Sequence, residues 1–259
     1  MRASLLLLPA FVIASCGGGS RNDGSVAHDS LPTAGPTAAS SATPVDWPGY
    51  YEDTLPCADC PGIVTQLWVR SDSTFILRQR DLDRGEAALG LIGRWHVVVP
   101  DAPGAQPLLT IGQAGDKPDF HLRTEAGLRL VDEMGATFAS PHPYTLEKLS
   151  DELEGEIPRM RLAGTFTYLA DAMRFAPCGA GRSWPCAGGE DLGAEEGELI
   201  GSMNGADLER RYRRSVKDGG APWTIEVECS LDLGPAMEGD GSDEYILIHQ
   251  VLKEGVACP

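Results

Sequence analysis

Beyond residue 46, the apolar residues fall in short runs with a period near two, and this pattern does most to constrain the fold. The runs are separated by Gly, Pro and Asp, which are typical of turns. They lie at residues 63–69, 74–80, 89–99, 107–111, 120–123, 128–132 and 144–149. Strands at this spacing, with no helix between them, predict an antiparallel meander that closes so that no edge is left unpaired. We therefore expect a small antiparallel barrel over residues 47–150.

A second folded region is expected at residues 159–259, after an acidic stretch that ends in a proline. Further strand patterns cover residues 160–169, 224–233 and 244–252. A single helix is indicated where Asn204 can cap, Asp207 occupies the first turn, and apolar residues repeat every four positions at Leu208, Tyr212 and Val216. One short helix late among strands predicts an OB-like barrel, so the fold class is mainly all-β.

Composition agrees with a turn-rich chain. Gly and Pro are 31 and 19 of the 259 residues, so long helices are not expected. The net charge of −17 argues against binding to nucleic acid, whose phosphates a protein must neutralise with basic groups. Four arginines of the predicted helix, at 210, 211, 213 and 214, could suggest such binding, but a solvated helix face beside an acidic segment is the simpler interpretation.

The N-terminus predicts export and anchoring. Residues 1–15 have a basic start and a short apolar stretch, as in a secretory signal peptide. Residues 13–16, Ile-Ala-Ser-Cys, resemble the bacterial lipobox, in which acylated Cys16 becomes the first residue and acyl chains hold the protein on the membrane. Gly17 after this cysteine favours the outer membrane. The alternative is an ordinary signal peptide with an incidental cysteine. Residues 16–46 then form the lipidated cysteine and a disordered tether rich in Gly, Ser, Ala, Pro and Thr.

Cysteine number and spacing predict disulfides. The seven cysteines lie at 16, 57, 60, 178, 186, 229 and 258, and lipidation of the first leaves an even number in an oxidising compartment. The four in the second region allow three pairings, between which the residues alone do not choose.

Cys57 and Cys60 form a C-x-x-C motif, whose spacing suits a redox pair, half of a zinc site, or a soft-metal clamp for Cu(I). The nearby histidines are scattered singly, which disfavours zinc. Pro61 and Gly62 follow, and then a strand, so no helix N-terminus lowers a thiol pKa. Thioredoxin-like turnover is therefore the weakest of these alternatives.

Several sequence segments resemble those of a known protein family. Residues 49–63, Gly-Tyr-Tyr-Glu-Asp-Thr-Leu-Pro-Cys-Ala-Asp-Cys-Pro-Gly-Ile, with the following hairpin and the Gly93-Arg94-Trp95 sequence, closely resemble the N-terminal domain of the NlpE (CutF) family of copper-homeostasis lipoproteins. The likeness continues through residues 164–172, Phe175, Cys178, residues 207–212 and Cys258.

The resemblance implies a lipid-anchored outer-membrane protein that faces the periplasm, delivered by the lipoprotein-sorting machinery, with a lipocalin-like N-terminal barrel and a C-terminal OB fold. Members act as envelope sensors that activate a Cpx-type two-component response through an inner-membrane sensor kinase. No enzymatic activity follows from it.

By the same resemblance, Cys57 and Cys60 are the redox or copper-responsive pair, and Cys178 bonds to Cys258. Cys186 and Cys229 depart from the family pattern. A second bridge between them is the simplest expectation, and pairing with Cys178 or Cys258 is the alternative. A copper-binding or copper-resistance protein that uses the C-x-x-C pair is the second functional hypothesis, and a thiol-disulfide oxidoreductase is the third.

Overall fold

The computed structural model describes residues 46–84, 87–113, 116–140, 142, 144–151, 156–191 and 202–258. The predicted signal peptide, the lipidated Cys16 and the tether up to residue 45 lie outside these residues. Within the described ranges, no helix is both long and apolar enough to cross a bilayer.

The N-terminal region is an antiparallel meander of short strands. Its strands are β1 (Gly49–Leu55), β2 (Ile63–Val69), β3 (Thr74–Asp81), β4 (Leu89–Arg94), β5 (His96–Val98), β6 (Leu108–Ile111), β7 (Asp119–Arg123), β8 (Gly127–Val131) and β9 (Thr145–Ser150). They pair in the order β4-β3-β2-β1-β9-β8-β7-β6-β5. Because β4 and β5 lie at the two ends of this order and only Trp95 separates them in the chain, this bent segment closes the barrel.

The bend at Trp95 corrects the prediction of one strand over residues 89–99. Trp95 Nε1 donates a hydrogen bond of 2.8 Å to the carbonyl of Arg70, and its backbone N–H donates one of 3.0 Å to that of Ser73. The β2–β3 turn thus holds this residue, and the chain changes partner strand there, from β3 to β6.

The C-terminal region is a second barrel with one helix. Its elements are β10 (Ile157–Leu169), β11 (Ala172–Pro177), β12 (Trp184–Gly188), α1 (Gly205–Ser215), β13 (Trp223–Pro235) and β14 (Ser242–Glu254). The strands form a closed ring in the order β10-β11-β12-β14-β13-β10, and the helix lies between the third and fourth strands in the chain. This is the OB arrangement. The predicted fold class, two barrels with one short helix, is confirmed.

Helix α1 begins as its sequence predicts. The side chain of Asn204 accepts a hydrogen bond of 2.9 Å from the N–H of Asp207, and Leu208 and Tyr212 are buried. Val216 is not a helical residue, because its backbone is extended; its N–H caps the helix by donating to the carbonyl of Tyr212.

Two hydrophobic clusters organise the molecule, and the second spans both barrels. The first fills the N-terminal barrel, around Tyr51, Leu67 and Phe75. The second fills the OB barrel but also includes Trp68, Ile76 and Ile92 from the outer surface of β2–β4, and Ala88 just before β4. A parallel bridge between Leu89 on β4 and Arg161 on β10 joins the two sheets at the same place. The barrels therefore share buried apolar surface, the interaction that dominates folding stability.

Candidate functional site

Cys57 and Cys60 lie at the tip of the β1–β2 hairpin. The structure joins them by a disulfide with a Cα–Cα distance of 5.3 Å. Both residues are half-buried, while Ala58 and Asp59 between them are exposed. Asp59 Oδ2 lies 3.4 Å from Arg84 Nη2, an exposed pair of the kind that contributes little to stability. The loop therefore presents its disulfide at the surface.

The hairpin loop leads directly into β2, and no helix follows the second cysteine. A helix N-terminus is the feature that most often lowers a thiol pKa in a C-x-x-C motif. This geometry matches the sequence argument against thioredoxin-like turnover.

The same loop can be tested as a copper site. In the disulfide form, neither sulfur is a thiolate ligand. Among the described residues, no group of three or more His, Cys, Asp or Glu side chains is placed to hold a metal. Reduction would supply two soft sulfur donors, a set that suits Cu(I). The residues thus fit copper only as a reduced pair.

Cys178 and Cys258 form the second disulfide, across 80 positions of sequence and with a Cα–Cα distance of 5.2 Å. Cys178 is buried directly after β11, and its N–H donates to the carbonyl of Ala163 on β10. Cys258 is exposed, in the tail beyond β14. The bond therefore ties the end of the chain to the wall of the OB barrel.

The turn that follows Cys178 packs against the N-terminal barrel. Gly179 and Gly181 have φ values of +80° and +68°, a left-handed conformation that favours glycine. A Cβ on Gly179 would lie 3.6 Å from the side chain of Gln113, and one on Gly181 would lie 3.4 Å from Arg94 Nε. We call residues 178–182 the disulfide turn; it is within contact distance of the other barrel.

Arg182, the last residue of the disulfide turn, forms an ion pair of 2.9 Å with Asp72 in the β2–β3 turn. Burial alone would raise the pKa of Asp72, but hydrogen bonds from Thr74 and the charges of Arg182 and Arg70 together lower that pKa below its ordinary value. The carboxylate therefore stays ionised at neutral pH and keeps its partner.

A buried ion pair reinforces the same junction. Arg70 makes two hydrogen bonds of 2.6 and 2.5 Å to the carboxylate of Glu244 on β14, and their side chains are only 11% and 16% exposed. Trp184 Nε1 donates a further bond of 2.7 Å to Glu244. Paired and hydrogen-bonded charges of this kind are costly to separate, because one charge is left buried alone.

Cys186 and Cys229 are free thiols, which corrects the expectation of a second bridge between them. They lie on β12 and β13, and β14 runs between these strands. Strands two places apart are separated by about 10 Å, whereas a disulfide needs Cα atoms within about 7 Å. Burial in the OB core raises the pKa of both thiols, so neither is a reactive thiolate.

Comparison with known proteins agrees with these features. The family described as the NlpE N-terminal domain matches residues 51–141, and the family described as the NlpE C-terminal OB domain matches residues 156–256. The chain belongs to the NlpE family. Lipoprotein NlpE of Escherichia coli strain K12 is 29% identical over 203 residues, which cover 78% of this chain and 75% of the relative.

Two solved structures are also similar in sequence. The first, described as the Cpx pathway activator NlpE from Escherichia coli, is 23% identical with a TM-score of 0.31, covering 79% of this chain and 95% of its own. The second, a putative lipoprotein from Shewanella oneidensis, is 31% identical with a TM-score of 0.32, covering 40% of this chain and 90% of its own. Superpositions this loose carry no argument about the arrangement of the barrels.

Within this NlpE-family chain, the four bonded cysteines lie in two separate places. The sequence analysis did not identify the charged residues beside the Cys178–Cys258 bond. The residues that join the barrels, Arg70, Asp72, Arg182 and Glu244, are ordinary charged residues in turns and at strand ends. No motif marks them. The consecutive apolar residues on β2 and β3 are the sequence signal that this surface is covered.

Proposed function

We propose that this chain is an outer-membrane lipoprotein, anchored through acylated Cys16 and facing the periplasm, that reports the redox state of the envelope to an inner-membrane sensor kinase of a Cpx-type system. The description of the Escherichia coli relative as lipoprotein NlpE supports the lipoprotein assignment. The solved Escherichia coli relative is described as an activator of the Cpx pathway. The lipoprotein-sorting machinery would carry the acylated protein to its membrane.

The observation that carries this proposal is the position of the Cys178–Cys258 disulfide. It closes a long segment of chain, and the disulfide turn beside it contacts the N-terminal barrel through Arg182 and Asp72. Reduction of this bond would therefore alter contacts in both barrels. A disulfide in an exposed loop would have no such reach.

The redox step is a thiol–disulfide exchange. A dithiol reductant of the envelope attacks the bond between Cys178 and Cys258, both sulfurs end as thiols, and the reductant becomes a disulfide. Release of Cys258 frees the tail beyond β14 and loosens the disulfide turn. The Arg70–Asp72 side of the junction then becomes available to the kinase.

Because the barrels share a core, signalling by separate unfolding of the C-terminal barrel is not the form that this structure favours. Trp68, Ile76 and Ile92 of the N-terminal barrel lose their cover when the OB barrel opens. We therefore expect reduction to change both barrels together.

The test is a reporter for the two-component response in cells that express the full chain. The variant Cys178→Ser/Cys258→Ser should give a high signal without any stress, because it mimics the reduced state. The control is Cys57→Ser/Cys60→Ser, which removes the other disulfide. An unchanged signal in the first variant at equal protein level would reject the redox mechanism.

The anchor has its own test. Mass spectrometry of the mature N-terminus should find an acylated Cys16, and membrane fractionation should find the protein with the outer membrane. The variant Cys16→Ala should be neither acylated nor membrane-bound. An unmodified Cys16 in the mature protein would leave no basis for the lipoprotein assignment.

Copper binding by reduced Cys57 and Cys60 is the second candidate function. It is favoured by the placement of both sulfurs at a surface loop, where a soft cation from solution can reach them once the disulfide is open.

A further inference from the structure

The two cysteines of the long-range disulfide differ in exposure. Cys178 is 4% exposed and lies close in the chain to the buried residues Pro177 and Ala180. Its backbone N–H donates a hydrogen bond of 3.0 Å to the carbonyl of Ala163 on β10. Cys258, in contrast, is exposed. One half of this bond therefore belongs to the wall of the OB barrel, and the other half belongs to its surface.

The backbones of the two cysteines are also held differently. Gly255, just after β14, donates a hydrogen bond of 2.8 Å to the carbonyl of Thr224. Beyond it, residues 256–258 make no hydrogen bond within the part of the chain that the structure describes. Three residues span at most about 10 Å. Reduction would therefore leave Cys258 on a short free tail, while Cys178 stays on the barrel wall.

This difference decides which sulfur a thiol can attack. In thiol–disulfide exchange, a thiolate attacks one of the two sulfurs, and access helps to decide which. The thiolate approaches along the S–S axis, from the side opposite the sulfur that leaves. Attack at Cys258 starts from the exposed end of the bond. Attack at Cys178 would have to start behind a buried residue, so access selects Cys258.

The remaining cysteines show no such difference between partners. Cys57 and Cys60 are both half-buried in their loop. Cys186 and Cys229 are free thiols in the OB core, and burial raises the pKa of both, so they do not supply a competing thiolate. The choice between a buried and an exposed sulfur is thus specific to the disulfide of the OB barrel.

We propose that Cys258 is the sulfur at which an envelope dithiol attacks this chain, and that Cys178 is the leaving group. This step rests on the proposed function, in which the Cys178–Cys258 bond is the redox-active one. A thiolate of the dithiol bonds to Cys258 Sγ, and the bond between the two cysteines breaks. Its electron pair passes to Cys178 Sγ, which takes a proton from water.

The mixed disulfide on Cys258 is then resolved by the reductant. Its second thiol loses a proton and attacks the reductant's own first sulfur, and Cys258 leaves and is protonated. The dithiol is thereby oxidised to a disulfide, and both cysteines of the chain end as thiols. Oxidation by an envelope disulfide follows the same path in reverse, with Cys178 attacking Cys258 Sγ to close the bond. The short tail keeps this closure intramolecular and therefore favoured.

The first test locates the mixed disulfide in the purified, oxidised full chain. The variant Cys57→Ser/Cys60→Ser is used so that one disulfide remains, and reduced glutathione is the probe. Early samples are quenched in acid and digested with pepsin without reductant, because protonated thiols no longer exchange. Mass spectrometry should find glutathione on Cys258 at least tenfold more often than on Cys178.

The second test measures each thiol alone. Cys178→Ser leaves the Cys258 thiol and Cys258→Ser leaves the Cys178 thiol, and the two variants are matched because both lose the disulfide. With Ellman's disulfide reagent, Cys178→Ser should react at least tenfold faster than Cys258→Ser. The core thiols Cys186 and Cys229 should stay unmodified in both variants, which checks that the OB barrel is still folded.

Three results would overturn this assignment: glutathione on Cys178 as often as on Cys258, no adduct on either cysteine, or equal rates in the two single variants with the core thiols still protected. The first and third results leave the proposed function standing, because they concern only which sulfur is attacked. An unchanged reporter signal in Cys178→Ser/Cys258→Ser would instead reject the proposed function, whichever sulfur carries the glutathione.

Discussion

The two disulfides of this chain differ in what surrounds them. Cys57 and Cys60 are three positions apart at an exposed loop tip, whereas Cys178 and Cys258 are 80 positions apart and lie beside the junction of the barrels. By chain entropy alone, the first closure is worth about 2 kcal/mol and the second about 4.5 kcal/mol. The first can open without disturbing the fold, while the second is part of the fold. We therefore expect a chemical response from the pair at the loop tip and a structural response from the pair beside the barrel junction.

The largest expected effect is on stability when the second disulfide is lost. Cys178→Ser/Cys258→Ser should lower the free energy of unfolding by about 4 kcal/mol, a large part of a typical total of 5–15 kcal/mol. Urea unfolding, followed by tryptophan fluorescence and far-UV circular dichroism, measures it. Because the second core cluster contains residues of both barrels, the two probes should report one shifted transition.

Separate unfolding of the two barrels in this variant would contradict the prediction. If the N-terminal barrel kept its original midpoint while the OB barrel unfolded earlier, the shared core would not couple them. The contrast between a local and a structural disulfide would then hold for one barrel only.

Lowering the pH should reduce the free energy of unfolding through one buried histidine in each barrel. Burial lowers the pKa of His121 and of His249 to about 4, and for His249 the charge of Arg159 adds to this. The unfolded chain takes up these protons near pH 6.5, before the folded one does. Stability is therefore complete above pH 6.5 and is lost as the pH falls from 6.5 towards 4, by at most about 3 kcal/mol for each histidine.

The two histidines should not contribute equally. His249 lies between Ser202 and Ser230, at 2.9 and 2.8 Å, so a protonated ring would still find an acceptor for each N–H. His121 Nδ1 has no such acceptor within the part of the chain that the structure describes. In carboxylate-free buffer, His121→Leu should therefore flatten the pH dependence of the unfolding free energy more than His249→Gln. The exposed His142→Ala is the control, and an equal slope in all three variants would contradict the assignment.

The ion pair at the junction should have a smaller effect. Glu244→Gln removes the charge that faces Arg70 and should destabilise the chain by about 2–3 kcal/mol, since the ion pair between these two largely buried side chains is lost. Thermal unfolding measures this change. Glu209→Gln is the matched control, because Glu209 pairs with Arg213 on the exposed side of α1 and should change stability by less than about 1 kcal/mol. Equal effects of the two substitutions would show that the junction pair is not buried in solution.

Much of this fold could be predicted from the sequence because alternation and turn residues report local geometry. Strands β2 and β3 and the cap of α1 follow from such patterns. Strand β1 was not predicted, since its second half, Glu52 to Thr54, is polar, and Asp53 and Thr54 are exposed at the outer end of a hairpin. Strand β12 contains Pro185, which cannot donate to a ladder and so masks a strand.

The sequence does indicate that the outer face of β2 and β3 in the N-terminal barrel is covered. Strands that are buried on one face alternate, but Leu67, Trp68 and Val69 are consecutive and all buried. Phe75 and Ile76 repeat this on the next strand. Such runs indicate burial on both faces, although they do not identify what covers the outer one. The sequence did not show which side chains of β7 face inward, because a period-two pattern does not say which face is inside.

The smallest effect on stability is expected at the loop tip, where loss of the two cysteines should instead abolish Cu(I) uptake. Cys57→Ser/Cys60→Ser should cost at most about 2 kcal/mol of stability. After reduction, the unmodified chain should take up one Cu(I) that this variant does not, measured by competition with a chromogenic chelator. Cys178→Ser/Cys258→Ser is the matched control and should retain this uptake. If both variants bound equally, or if the oxidised chain bound as well as the reduced one, the exposed pair would not be the copper ligand. The disulfide at the loop tip would then differ from the one beside the barrel junction in position but have no chemistry of its own.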